Sequence, residues 1–566
     1  MILGACSQNT DSPKEEDVSY TLMIYMCGSD LESVRGYASG NIADMLSADI
    51  PQGANILIQT GGSRVWRDER IPDSKSARFE LQGNELKKHG ETFDADMGDA
   101  ETLSEFISFC KTNFPAREYS LILWDHGTGS NDGICYDELY KDSYLSLSEI
   151  SDAVSKGGVP FEFIGFDACL MATYDAVIML KDYADYLIAS QELEPGSGWN
   201  YSALASLGKS DFYDTLLAGY EQKQSSSTYY TLSVIDLKKS DKFTSLMDEL
   251  CTLIHNFPFQ ISTALNSMQF GVGERGQSNS GLFDMRQFAY NMGMYNIEFS
   301  DVIRVVNGSA RKDASGISIF FPQNDEQFAK YQKICVDQNY LDTLDKHFTE
   351  RPEGEAVRFE QRGFVFDNKL RFTLTEDSLK FVRSVRYELH VFSDNPEQLF
   401  MYSVGTDNDI SKASAMYTVD FEGRWIWLGG YLLHCDVNEE QTDSTLFSAR
   451  VRIGGKDALM LFSYNNRLAK LTAEGYAEIK TDGSRILPLT DGTEVEILYY
   501  DLETETYITE GTAVWGTDEL KISVLPAATY QIISVVTDIY GYEYESYTAF
   551  VEFDGKSVKK IEVRAG

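Results

Sequence analysis

The chain has 566 residues, 43% hydrophobic and 24% charged, a globular balance that argues against a disordered or collagen-like protein. Its 88 acidic residues outnumber 49 basic ones, and the net charge of −39 argues against nonspecific nucleic-acid binding. At about 150 residues per domain, the length allows two to four domains.

The chain opens with MILGAC, and Leu-Gly-Ala-Cys is the pattern that precedes a lipidated cysteine, here Cys6, although no basic and apolar stretch stands before it. Residues 7–17 are polar, as a tether from a membrane surface would be. No apolar run is long enough for a membrane-spanning helix. From residue 20 onward, strand-like and helix-like patterns alternate. Residues 21–26 read as a buried strand. Ser29-Asp30-Leu31-Glu32 fits a capping box that opens a helix toward Leu46. A strand follows at 55–59. Leu103, Phe106, Ile107 and Cys110 recur at helical spacing. Strands are predicted at 119–124, 161–166, 186–189, 229–236 and 316–321, and a helix over 241–254. Leu170, Tyr174, Val177 and Ile178 predict a further helix directly after the strand at 161–166. Such alternation points to a mostly parallel sheet flanked by helices.

The charged stretch 350–362 reads as a linker, and the pattern changes after it. Residues 385–391 (VRYELHV) and 494–497 (EVEI) alternate apolar and polar with period two. Asp367-Asn368, Asn465-Asn466, Asp491-Gly492 and Tyr540-Gly541 punctuate such runs as turns. The expected organisation is a tether at 1–18, an α/β domain at 19–349, a linker at 350–363 and an all-β, sandwich-like domain at 364–566.

Two strand ends carry chemistry. Residues 121–129 (LILWDHGTG) end an apolar strand in His126 and small residues, and 163–171 (FIGFDACLM) end one in Asp167 and Cys169. Ligands gather at the carboxyl ends of parallel strands, and strands joined by a crossover tend to be neighbours. The two tips can therefore bring His126 to Cys169. A helix start and an imidazole would both favour the thiolate, and the imidazole can carry a proton to a leaving amine. The amides of Gly127 and Cys169 are candidates to hold an oxyanion. Asp125 reads as a strand-end hydrogen-bonding group.

Other chemistries find little support. The eight cysteines include no CxxC pair, and the six histidines form no HxH or HExxH, so no zinc site is signalled. Residues 271–276 (GVGERG) match a dinucleotide-binding pattern but are followed by polar residues rather than an apolar helix. His434 and Cys435 are adjacent in the β half, where strand neighbours point to opposite faces.

The segments 124–129 (WDHGTG) and 165–171 (GFDACLM) resemble the catalytic motifs of the clostripain family of cysteine peptidases. The segments 25–32 (YMCGSDLE) and 194–199 (EPGSGW) are similar to that family's first strand with its turn and to a later loop. The likeness covers about residues 19–325 and does not extend to the β half. It implies a caspase-like sheet with Cys169 as nucleophile, His126 as general acid/base and Gly127 beside the oxyanion. Asp167 matches an acidic residue of the pocket for the side chain before the cleaved bond. A carboxylate there would pair with Arg or Lys of a peptide or protein substrate. The resemblance further implies self-processing after a basic residue between the two motifs, for which Lys141 is the candidate. It leaves calcium dependence open, with no EF-hand-type loop present. Ser197 leaves the choice of Arg or Lys open. The chain is thus expected to be an envelope-bound or secreted bacterial endopeptidase. The alternative is a surface protein that has lost catalysis and binds glycan or protein through its β half.

Overall fold

The computed structural model describes residues 20–271, 280–392, 401–407, 415–440, 443–479 and 485–565. Cys6, the tether and most of the glycine-rich 271–276 match lie outside these residues. The first half contains β1 (Tyr20–Cys27), α1 (Ser29–Ser33), α2 (Tyr37–Leu46), β2 (Ala54–Gly61), β3 (Ser76–Gln82) and β4 (Glu85–Phe93). Next come α3 (Ala100–Asn113), β5 (Glu118–Trp124), α4 (Leu147–Gly157), β6 (Phe161–Asp167), α5 (Tyr174–Leu180) and β7 (Ala184–Ala189). After α6 (Phe212–Lys223), β8 (Thr231–Asp236) and α7 (Asp241–Asn256), short strands β9 (Leu282–Asp284), β10 (Ile303–Asn307) and β11 (Ser318–Phe320) follow.

Nine strands form one sheet in the order β10-β8-β7-β6-β5-β1-β2-β3-β4. The five central strands, β7-β6-β5-β1-β2, run parallel, as the alternation of elements implies. Both margins are antiparallel: β8 and β10 on one side, the β3–β4 hairpin on the other. All eight residues of β1 are buried, because helices cover both faces of a parallel core. Alternate residues feed two apolar clusters: Met23, Tyr25, Leu121 and Leu123 enter one, and Leu22, Ile24, Ile122 and Trp124 the other.

Three local expectations change. The helix expected over 29–46 is two helices, α1 and α2. Its N-cap is Gly28, with no side-chain cap, so the capping box is absent. Glu32 turns inward instead, accepting from the Ser39 and Arg67 amides at 2.8 and 2.6 Å. The strand expected at 316–321 shortens to β11, which pairs with β9 outside the main sheet. The helix after β6 starts only at Tyr174, capped by Thr173, so Cys169 sits in a loop and not at a helix start.

Beyond residue 350 the described elements are strands and one 3₁₀ turn. Val382–Phe392 and Ala528–Asp538 pair at the centre of a twelve-stranded sheet. Val385, Tyr387, Leu389 and Val391 are all buried there, but so are Arg386 and His390 between them, so the period-two sequence pattern marks a strand covered on both faces. Asp367 and Asn368 both have positive φ and close the hairpin between Phe359–Phe366 and Lys369–Leu374. The two halves pack together: Arg35 pairs with Glu478 at 2.9 Å, and the Thr228 amide donates to Glu474 at 2.8 Å. No helix among the described residues is long and apolar enough to cross a membrane.

Candidate active site

The sheet register builds the site. In the β5–β6 ladder Trp124 stands opposite Asp167, and Cys169 follows His126 by the same spacing in sequence. Two residues beyond the ladder, His126 and Cys169 therefore leave adjacent strand tips at the same level. Gly127 lies so close to the second tip that a Cβ on it would meet the Cys169 carbonyl oxygen at 2.4 Å. Only glycine lets the two backbones approach this closely.

His126 is nearly fully buried, and its Nε2 bonds Asp30 Oδ1 at 2.8 Å. The carboxylate is an acceptor, so Nε2 carries the proton and Nδ1 keeps the lone pair. Buried Nδ1 has no hydrogen-bond partner among the described residues, which leaves it free to act as a base. Asp30 comes from α1, directly after β1, which adjoins β5 in the sheet. Asp125 accepts from Ser29 Oγ at 2.5 Å and from the Tyr136 amide at 2.6 Å, the strand-end role expected of it. Burial pushes Asp125 up to about 7.

Cys169 is fully buried, and the Glu194 amide donates to its Sγ at 3.0 Å. Burial pushes the thiol up to about 12, with nearby Arg485 pulling in the opposite direction. In this conformation the sulfur is a neutral thiol at pH 7, where sequence position at a helix start would have favoured a thiolate.

Asp167 lies on the floor beside it. Its Oδ2 accepts from Tyr201 Oη at 2.9 Å and from the Trp199 amide at 3.2 Å. Gly198 has φ +59°, and a Cβ there would meet Asp167 Oδ1 at 2.5 Å. Glu194 is a second buried carboxyl in the pocket, bonded by Trp199 Nε1 at 3.2 Å. Burial, and then the charge of Asp167, push Glu194 well above the usual carboxyl range. The balancing cation is Arg485, from the β half. Its Nη2 donates to Asp167 Oδ1 at 3.1 Å, to the Asp125 carbonyl at 3.0 Å and to the Asp167 carbonyl. Its guanidinium lies 5.0 Å from the Trp124 ring.

His126, Gly127, Asp167 and Cys169 thus share one rim. Lys141 is not part of it: the residue stands in a surface turn with its side chain 91% exposed, 3.6 Å from Asp142. Ser197 lines the neighbouring loop, its carbonyl accepting from Asn41 and Lys223. No group of three or more His, Cys, Asp or Glu suited to a metal occurs among the described residues. Sequence reasoning assigned no role to Asp30 or Glu194, although both stand inside the segments that carry the family resemblance. It missed Arg485 entirely.

The sequence profile of the clostripain family, peptidase C11, matches residues 24–348. Clostripain of Hathewaya histolytica is 28% identical over 308 residues, covering 43% of this chain and 58% of the relative. The chain therefore spans less than two thirds of that relative's length. Among solved structures, a secreted C11 cysteine protease of Bacteroides thetaiotaomicron, iotapain, is similar at TM-score 0.47 and 18% identity, covering 58% of this chain and 99% of that one. An inactive zymogen C11 protease of Parabacteroides distasonis is similar at TM-score 0.43 and 21% identity, covering 57% and 98%. With its profile matched over more than half of its residues, this chain belongs to the clostripain family.

Proposed function

We propose that the chain is a cysteine endopeptidase that cleaves after Arg or Lys. One observation carries this reading: His126 and Cys169 share a rim with Asp167, whose buried carboxylate is matched by a guanidinium. Cys169 Sγ attacks the substrate carbonyl carbon, and His126 Nδ1 accepts the thiol proton. The oxyanion gathers against the amides of Gly127 and Cys169. His126 then gives that proton to the leaving amine as the C–N bond breaks. Water, deprotonated by the same imidazole, hydrolyses the thioester and restores the thiol. Asp30 holds the ring in the tautomer that leaves Nδ1 free.

The pocket favours a cation because the buried carboxyls of Asp167 and Glu194 lie together in it, and an uncharged guest would leave their charge unpaired. A peptide panel varying the residue before the cleaved bond tests this. Turnover after Arg or Lys that disappears in Cys169→Ala supports the reading. Cleavage confined to other residues, or persisting in Cys169→Ala, rejects it. The exposure of Lys141 supports processing after it, which mass mapping of incubated protein would reveal as a break between Lys141 and Asp142. Residues 3–6 support attachment through a lipid on Cys6 at the cell envelope, checked by labelling with a fatty-acid analogue.

A further inference from the structure

The pocket around Asp167 is already filled. Arg485 lies 318 residues downstream, in the β half, and its side chain has no exposed surface. The backbone beside it runs along the site. The Ile486 amide donates to the Glu194 carbonyl at 3.0 Å, and the Gly196 amide donates to the Ile486 carbonyl at 2.8 Å. This is a two-bond bridge between 194–196 and 486. The next residue, Leu487, exchanges two bonds with Tyr476, in the strand Lys470–Glu478, at 2.7 and 2.9 Å. One side of the segment is thus attached to its own sheet and the other to the site.

We propose that Arg485 is an internal ligand of the substrate pocket, held there by the β half, so that the chain in this conformation is a latent peptidase. The proposal rests on the reading of Asp167 as the carboxylate that takes the substrate's Arg or Lys. An extended backbone paired to the rim, with its basic side chain in the acidic pocket, is how a bound peptide is recognised by strand addition. The cleft left between Asp30, His126, Arg485 and Leu487 has a volume of about 10 Å³. That is room for about one water molecule; the cleft does not reach Asp167 or Cys169, whose side chains are fully buried behind Arg485. The cation is also fitted as a guest. It donates only through Nη2, while buried Nε and Nη1 have no partner among the described residues. Two of its three bonds go to backbone carbonyls. The covered, neutral Cys169 thiol fits the same closed state.

The test compares the full chain with Arg485→Ala and Ile486→Pro. The first removes the guest side chain, and the second removes the amide that bonds Glu194. Cys169→Ala is the blank. Each protein is assayed on peptides with Arg, Lys, Ala or Leu before the bond. Each is also labelled with an Arg-bearing thiol-trapping peptide, and intact mass is checked at each point. The expected result is at least tenfold faster labelling of Cys169 and at least tenfold higher kcat/KM on Arg or Lys peptides in both variants. Agmatine should then inhibit Arg485→Ala competitively at concentrations that leave the unmodified chain unaffected. If both variants cleave Arg peptides only as fast as the unmodified chain, the internal ligand is refuted and the Arg/Lys reading stands. If the variants gain activity on Ala or Leu peptides instead, the Asp167 reading falls and the proposal falls with it. If folded variants neither react with the label nor cleave any peptide, both are rejected.

Discussion

Arg311 and Arg485, two of the buried arginines that join the halves of this molecule, are built differently. Arg311, in the α/β half, gives one Nη to Glu192 at 2.6 Å and the other to Glu439 of the β half. Its guanidinium also lies 4.3 Å from the Tyr229 ring. Arg485, reaching the other way, has a single carboxylate partner among the described residues, reached through one nitrogen. Nε has no partner among the described residues in either case. Burial opposes both charges, and neighbouring carboxylates and phenols or thiols more than offset it, so both stay protonated. Arg311 is matched at both ends like a permanent joint. Arg485 leaves donors over, as an exchangeable occupant does.

The sharpest way to break this contrast is to remove each cation and measure folding. Arg311→Ala strands Glu192 in the core and should cost about 3–5 kcal/mol, the usual loss when one partner of a buried pair is deleted. Denaturant unfolding should show a clearly smaller loss for Arg485→Ala. Equal losses would erase the distinction. Next in size is Asp30→Ala in the Arg485→Ala background. With the imidazole no longer held by its carboxylate, kcat should fall roughly 10–100-fold, as for other positioning partners of a ligating or catalytic His. KM should stay level, and the pH–rate profile should shift; an unchanged profile would count against the role.

The thiol supplies a third comparison. Burial pushes Cys169 up to about 12, so its thiolate fraction grows about tenfold per pH unit across pH 7–9. Iodoacetamide capture by the unmodified chain should therefore climb without a plateau below pH 9. In Arg485→Ala two changes oppose each other. Opening the cleft lowers the thiol, and losing the guanidinium raises it. Where the substitution opens the cleft to solvent, the relief of burial should move the plateau to lower pH; a move to higher pH would show that the sulfur stays covered. The smallest effect is expected from Glu194→Gln. Burial raises Glu194 and so favours its protonated form, which the amide resembles, and KM for Arg peptides should change less than about threefold, under 1 kcal/mol. A large change would show that Glu194 carries charge.

What could be read from sequence follows the range of the forces involved. The β1, β5 and β6 strands were legible because burial on both faces makes them continuous apolar runs. His126 and Cys169 were legible because their strands are joined by one crossover helix and end in matched register. The capping box misled because Glu32, a good local cap, finds better partners in Ser39 and Arg67. The β3–β4 margin escaped notice because β4 is mostly exposed and polar (ELKKHGETF). Glu194 stood in a quoted segment, but its role depends on meeting Asp167, which no spacing reveals. Arg485 is an ordinary basic residue that follows the polar sequence KTDGS, and its meaning exists only in three dimensions.

A tethered occupant competes as though present at millimolar concentration, because its attachment to Tyr476 never lets it diffuse away. Peptides at micromolar levels would displace it only where they bind the pocket about a thousandfold more tightly. Turnover would therefore be governed less by how much substrate is present than by whatever pulls Leu487 away from Tyr476.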